Sequence, residues 1–183
     1  MSMGFGLLMT LGVASSCKLR TLGGGPERVR AIWAHAACQT GAVAFALGGF
    51  GAIYRNKAIK GKEHFTTTHG KVGLLAMALT VLAMLLGGGA FARLGLLARL
   101  PEPVRPAVKW AHRKLGALAW AAGILAVMLA LPHPAVFRAG GVTLVWQGCV
   151  VVAAACVAYM LAAEPTAATA APGRFNKVDA QKR

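Results

Sequence analysis

The sequence predicts an all-α membrane protein, a transmembrane helix bundle with about five spans. Three observations predict it. Of the 183 residues, 57% are hydrophobic and only 14% are charged, where a soluble domain carries about 25% charged residues. Mean hydropathy is +0.60. The charges are also clustered: residues 1–17, 31–54, 72–92, 115–137 and 139–163 contain no Asp, Glu, Lys or Arg. Twenty Lys and Arg against five Asp and Glu give a net charge of +15, a balance that can mark nucleic-acid binding. Here the basic residues lie between long uncharged runs, as in the loops of a polytopic membrane protein. A soluble nucleic-acid binder is excluded, because it could not hide this much apolar surface from water. The expected partner is the lipid bilayer.

The first run, MSMGFGLLMTLGVASSC, is apolar from its first residue. A signal peptide would open with a basic region, so this run reads as a transmembrane helix whose beginning lies outside the chain, with a signal peptide cleaved near the serine-rich end before Cys17 as the lesser alternative. The second, third and fifth runs reach the ~20 residues that cross the hydrocarbon core. The fourth extends from Leu115 to Leu131 and stops at Pro132-His133-Pro134, where two prolines withhold backbone donors. Residues 164–183, EPTAATAAPGRFNKVDAQKR, have no apolar face and are expected to be a disordered tail, leaving 1–163 as the membrane domain. Cys17, Cys38, Cys149 and Cys156 form no CxxC pair and read as small hydrophobes rather than a disulfide or zinc framework.

If successive spans alternate in direction, fourteen Lys and Arg fall on one face and six on the other. The positive-inside rule places the fourteen, and with them the tail, in the cytosol.

Ionisable groups inside a membrane bundle are costly and usually functional, which singles out the histidines. His35 stands one turn into the second span and His112 at the entry of the fourth, so both enter from the cytosolic face at similar depth. Two neutral imidazoles facing each other can hold one metal centre from opposite sides, and a bis-histidine haem is the natural occupant. His69 opens the third span from the opposite face, and its partner is expected from a helix that begins on that face. A short repeat accompanies the histidines: His69-Gly-Lys-Val-Gly73 and His112-Arg-Lys-Leu-Gly116 share the pattern H-x-K-apolar-G. A glycine four residues after a histidine shares its helix face, so a flat macrocycle could lie close to the backbone at Gly73 and Gly116. His35 has Gln39 at the matching position.

Single histidines near helix ends are often interfacial polar residues, and glycines often only permit helix packing. Matched depth and the repeat together favour a site at His35, His69 and His112. His133 reads as a solvated turn residue, and His64 stays open between surface and site. Trp33, Trp110, Trp120, Trp146, Tyr54 and Tyr159 mostly lie near span ends and fit interfacial belts.

The stretch from Trp33-Ala-His35 through Gln39 and Ile-Tyr-Arg-Asn-Lys57 to His64-Phe-Thr-Thr-Thr-His69-Gly-Lys-Val-Gly73, with the later Lys109-Trp-Ala-His112-Arg-Lys-Leu-Gly116, resembles the cytochrome b561 family, closest to its single-domain members, over roughly residues 1–163. The resemblance implies six transmembrane helices in which four histidines bind two haems b. It implies electron transfer across the membrane, from cytosolic ascorbate to ferric iron or monodehydroascorbate. It makes His35 and His112 the ligands of the cytosolic-side haem and His69 a ligand of the far one. The family's first histidine lies in an HPxLM-type motif just ahead of a stretch like Met1-Ser-Met-Gly-Phe5. The chain is therefore expected to lack the first helix and first ligand, leaving one haem site complete and the second resting on His69.

On this reading Arg30, Lys109 and Arg113 gather the anionic reductant on the cytosolic rim, and Lys57 and His64 guide the acceptor on the far side. The activity implied is an ascorbate-dependent ferric or monodehydroascorbate reductase in an intracellular vesicle or endoplasmic reticulum membrane, with a homodimer left open. The competing reading is a haem-free polytopic protein, a transporter subunit or scaffold.

Overall fold

The computed structural model describes residues 2–22, 25–90, 99–130 and 141–162. The tail, His133, Arg138 and Met1 lie outside the described residues. The architecture is an all-helical bundle. A π-helical segment, Met3–Met9, runs into α1, Thr10–Thr21; then come α2, Pro26–Ile59, α3, Thr68–Ala90, α4, Val104–Leu129, and α5, Gly141–Ala162. No strand occurs among the described residues.

The ends follow local chemistry. After Leu22 turns extended, Gly25 takes φ +91°, and Pro26 starts α2 where its missing N–H costs nothing. Arg28 Nη1 donates to the carbonyls of Leu19 and Leu22, capping α1 with a cation. At the far end of α2, Gly61 takes φ +58°, while Lys62 N–H returns to the Lys57 carbonyl. Thr67 Oγ1 then accepts the Gly70 N–H at 3.1 Å and caps the start of α3. Helix α2 has 34 residues and a length of about 51 Å. It therefore overshoots the ~30 Å hydrocarbon core, which explains why it extends past both ends of the uncharged run 31–54. Helix α4 likewise starts eleven residues before its uncharged run.

Two helical stretches, Pro26–Ile59 and Thr68–Gly88, are long and apolar enough by themselves to cross a membrane; Met3–Leu19 and Leu144–Met160 are shorter apolar helices. Leu85 and Val145 are each 68% exposed. Large aliphatic side chains this open suit a surface facing lipid rather than water.

Inside, Phe5, Met9, Val13, Ala42, Ala46, Met77, Trp120 and Ile124 belong to one buried cluster. Many of its members are small, as expected where helices associate by close contact rather than by a hydrophobic driving force. The π segment shows this most clearly. A Cβ on Gly4 would stand 2.8 Å from the Ala42 carbonyl oxygen, and one on Gly6 would stand 2.8 Å from Val150 Cγ2. These glycines let the segment seat against α2 and α5. The widened turns of a π-helix displace its backbone bonding, and Thr10 Oγ1 donates to the Phe5 carbonyl at 3.3 Å. Helix α3 packs on α4 and α1 on α2, while α2 and α4 make little contact with each other.

A candidate haem centre between helices two and four

The three histidines singled out by sequence are each held from behind. His35 Nδ1 lies 2.7 Å from the Gly12 carbonyl of α1. His112 Nδ1 lies 2.9 Å from the Ala83 carbonyl of α3, and His69 Nδ1 lies 2.8 Å from the Ala126 carbonyl of α4. A carbonyl can only accept, so each Nδ1 carries the proton. Each Nε2 is then left with its lone pair, the form that binds a metal.

Helices α3 and α4 exchange these bonds in both directions. His69 of α3 reaches Ala126, and His112 of α4 reaches Ala83. Each acceptor lies fourteen residues along from the histidine on its own helix, as expected of an antiparallel pair with local two-fold symmetry. The H-x-K-apolar-G repeat is the sequence trace of that symmetry. His35 and His112 stand together at one end of the bundle, and His69 lies toward the other.

The His35 and His112 rings have centroids 6.2 Å apart, with planes crossing at 89°. A metal-bound imidazole nitrogen sits about 2.0 Å from its metal and about 1.1 Å from its own ring centre, so two rings on opposite sides of one ion have centres about 6.2 Å apart. Rotation about the metal–nitrogen bonds leaves the donors in place, so crossed planes are compatible with this geometry. No group of three or more His, Cys, Asp or Glu side chains that could hold a metal ion occurs among the described residues. Two histidines alone fall short of a protein-only metal set. A haem brings four planar nitrogens and asks for two axial ligands, so this donor set suits it.

The glycines divide into two kinds. A Cβ on Gly87 would meet His112 Cε1 at 2.8 Å, so α3 presses against the edge of that imidazole between its two nitrogens. A Cβ on Gly116, or on Gly73, would meet nothing within 4 Å. The repeat glycines thus border open space on the histidine-bearing faces, in keeping with a cradle for a flat ring.

His69, Gly70 and Gly73 line a cavity of about 320 Å³ together with Phe5, Phe50 and Tyr54. His64 lines the same cavity and stacks on Tyr54, with ring centres 4.0 Å apart. Phe65 joins the cluster by stacking on Phe50, and its φ is +56°, a conformation that non-glycine residues take at some cost. Lys57, which also lines the cavity, donates through Nζ to the Glu63 carbonyl at 3.0 Å and ties the loop to α2. Lys57 and His64 therefore come together with His69. Arg30, Lys109 and Arg113 are exposed on α2 and α4, whereas Lys114 lines a groove between α4 and α5.

One aromatic departs from the sequence expectation, and Gln39 takes a role that the sequence did not assign. Gln39 donates to the Met9 carbonyl at 3.4 Å and packs against Gly12, so it clasps the π segment and α1 together. Trp120, grouped with the interfacial aromatics, is 6% exposed and donates its indole N–H to Thr10 Oγ1 at 3.0 Å. Its place more than a turn inside the 115–131 run was the available signal.

A family model of eukaryotic cytochrome b561 matches residues 1–138. None of the curated proteins and none of the solved structures matches the chain. With three-quarters of its length matched and its paired histidines set across an all-helical bundle, the chain belongs to the cytochrome b561 family of membrane-embedded, haem-dependent electron-transfer proteins.

Proposed function

We propose that the chain passes electrons from cytosolic ascorbate to ferric iron or monodehydroascorbate on the far side of an intracellular vesicle or endoplasmic reticulum membrane. His35 and His112 hold one haem b through Nε2. His69 supplies a ligand for a second haem in the opposite half of the bundle. When bound, haem b supplies one-electron chemistry that no side chain of the protein could perform.

The protein's own groups prepare and flank that centre. The carbonyls of Gly12 and Ala83 fix the tautomer of the two imidazoles, which leaves Nε2 of each ring as the basic nitrogen. Arg30, Lys109 and Arg113 are exposed, and like-sign groups at a rim raise the encounter rate of an anionic reductant. Lys57 and His64 line the His69 cavity, where a cation and a flat ring suit a small acceptor. The tail then faces the cytosol, with the more basic loops.

The observation that carries this reading is the 6.2 Å separation of the His35 and His112 rings. It is tested by the visible spectrum of the purified protein. Sharp reduced α and β bands are expected, and His35→Ala or His112→Ala should remove those of the site they share. A colourless wild-type protein would instead support the haem-free scaffold.

A further inference from the structure

Between α4 and α5 the surface opens into a trough of about 530 Å³, lined by Lys114, Ala117, Leu118, Ala121, Ala158 and Ala162, with Trp120 at its inner wall. Its geometry is set by side-chain size. On α4, residues 114, 118 and 121 share one face at helical spacing, and on α5 residues 158 and 162 do the same. Where alanines meet alanines, the two helices leave a gap that larger side chains would close. Leu118 is 58% exposed, and Ala121, Ala158 and Ala162 are also exposed, so the trough is open to the bilayer.

The trough is apolar except at one end, where Lys114 stands. Lys114 lies two residues after His112, just ahead of the uncharged run that begins at Leu115, and the remaining lining reaches about 10 Å farther along α4. Lys114 has no carboxylate partner among the described residues. The chain has too few acidic groups to supply one generally, with twenty basic residues against five acidic. An ammonium at the head of an apolar slot matches an amphiphile with one negative end and a hydrocarbon body.

We propose that this trough binds an anionic glycerophospholipid from the leaflet on the His112 side. Its phosphate pairs with Lys114, and one acyl chain lies over Ala117, Ala121 and Ala158 as far as Trp120. The lipid braces α5 against α4 on the outer side of Trp120, the residue whose indole already ties α4 to Thr10. This inference needs only the membrane location, so it stands or falls separately from the haem ligands.

The test uses the whole chain purified in detergent, with phosphatidylglycerol or phosphatidylcholine of equal chain length added and bound lipids counted by native mass spectrometry. Wild type should hold one phosphatidylglycerol with about a fivefold preference, the gain one basic residue brings at an anionic lipid headgroup. Lys114→Gln should bring the two lipids level, and Lys114→Arg should keep the preference. Ala158→Leu, which fills the trough, should weaken both lipids. Equal binding of the two lipids by wild type overturns the proposal, as does a preference that survives in Lys114→Gln. Unchanged binding in Ala158→Leu, or a dimer mass without lipid, also overturns it. Helical circular dichroism equal to wild type is required of each variant, and the Arg and Gln pair separates charge from folding.

Discussion

The Thr10 hydroxyl has two tasks, donating to the Phe5 carbonyl and accepting the Trp120 indole N–H. Thr10 is 3% exposed and Phe5 is 3% exposed, so no water stands ready to replace either bond. Thr10→Val keeps the shape and removes both. An interhelical hydrogen bond within a membrane bundle contributes about 0.6 kcal/mol on average and about 1.7 kcal/mol at most. We expect Thr10→Val to destabilise the protein by about 1 kcal/mol, read by equilibrium unfolding in mixed detergent micelles. The His35–His112 pair does not touch Thr10, so the reduced spectrum should keep its band positions. A loss near zero would mean that the indole finds another acceptor and that the bond is not structural.

At the scale of the helices, the α3–α4 pair shows what could be read in advance and what could not. The two histidines and the glycine four residues after each were legible, because a period of about 3.6 residues fixes which side chains share a face. The acceptors were not, because Ala83 and Ala126 offer only backbone carbonyls and no residue type marks them. Trp120 was misjudged for a related reason: a tryptophan in an apolar run has several possible partners, and only packing selects one. The π segment left no periodic signal at all. A Cβ at Gly116 has nothing within 4 Å, so Gly116→Leu should be accepted by the protein alone and opposed only by a bound ring. Helical content should match wild type, while haem retained per chain at the His35–His112 site should fall about tenfold or more, the effect of a clash costing more than ~1.4 kcal/mol. Full haem retention in a folded variant would show that no ring lies against Gly116.

For the whole molecule, the exchange of histidine bonds between α3 and α4 sets the distance across which electrons must travel. Fourteen residues separate His69 from Ala83 and His112 from Ala126, which is about 21 Å of helix. The hydrocarbon core is about 30 Å thick, so a bundle centred in the bilayer holds each histidine level within about one helical turn of a surface. If haems are held at both levels as proposed, they would lie near enough to each rim to meet a dissolved partner and together would cover most of the insulating layer. Sites so far apart, with no shared side chain, respond independently to substitution. His69→Ala should therefore leave the reduced bands of the His35–His112 centre intact and affect only haem held at the His69 cavity. His112→Ala should do the reverse. Haem content per chain, measured alongside the spectra of both variants and wild type, reads the two sites separately. Loss of every band in His69→Ala would show that the two ends of the bundle are not independent, and the two-level arrangement would have to be abandoned.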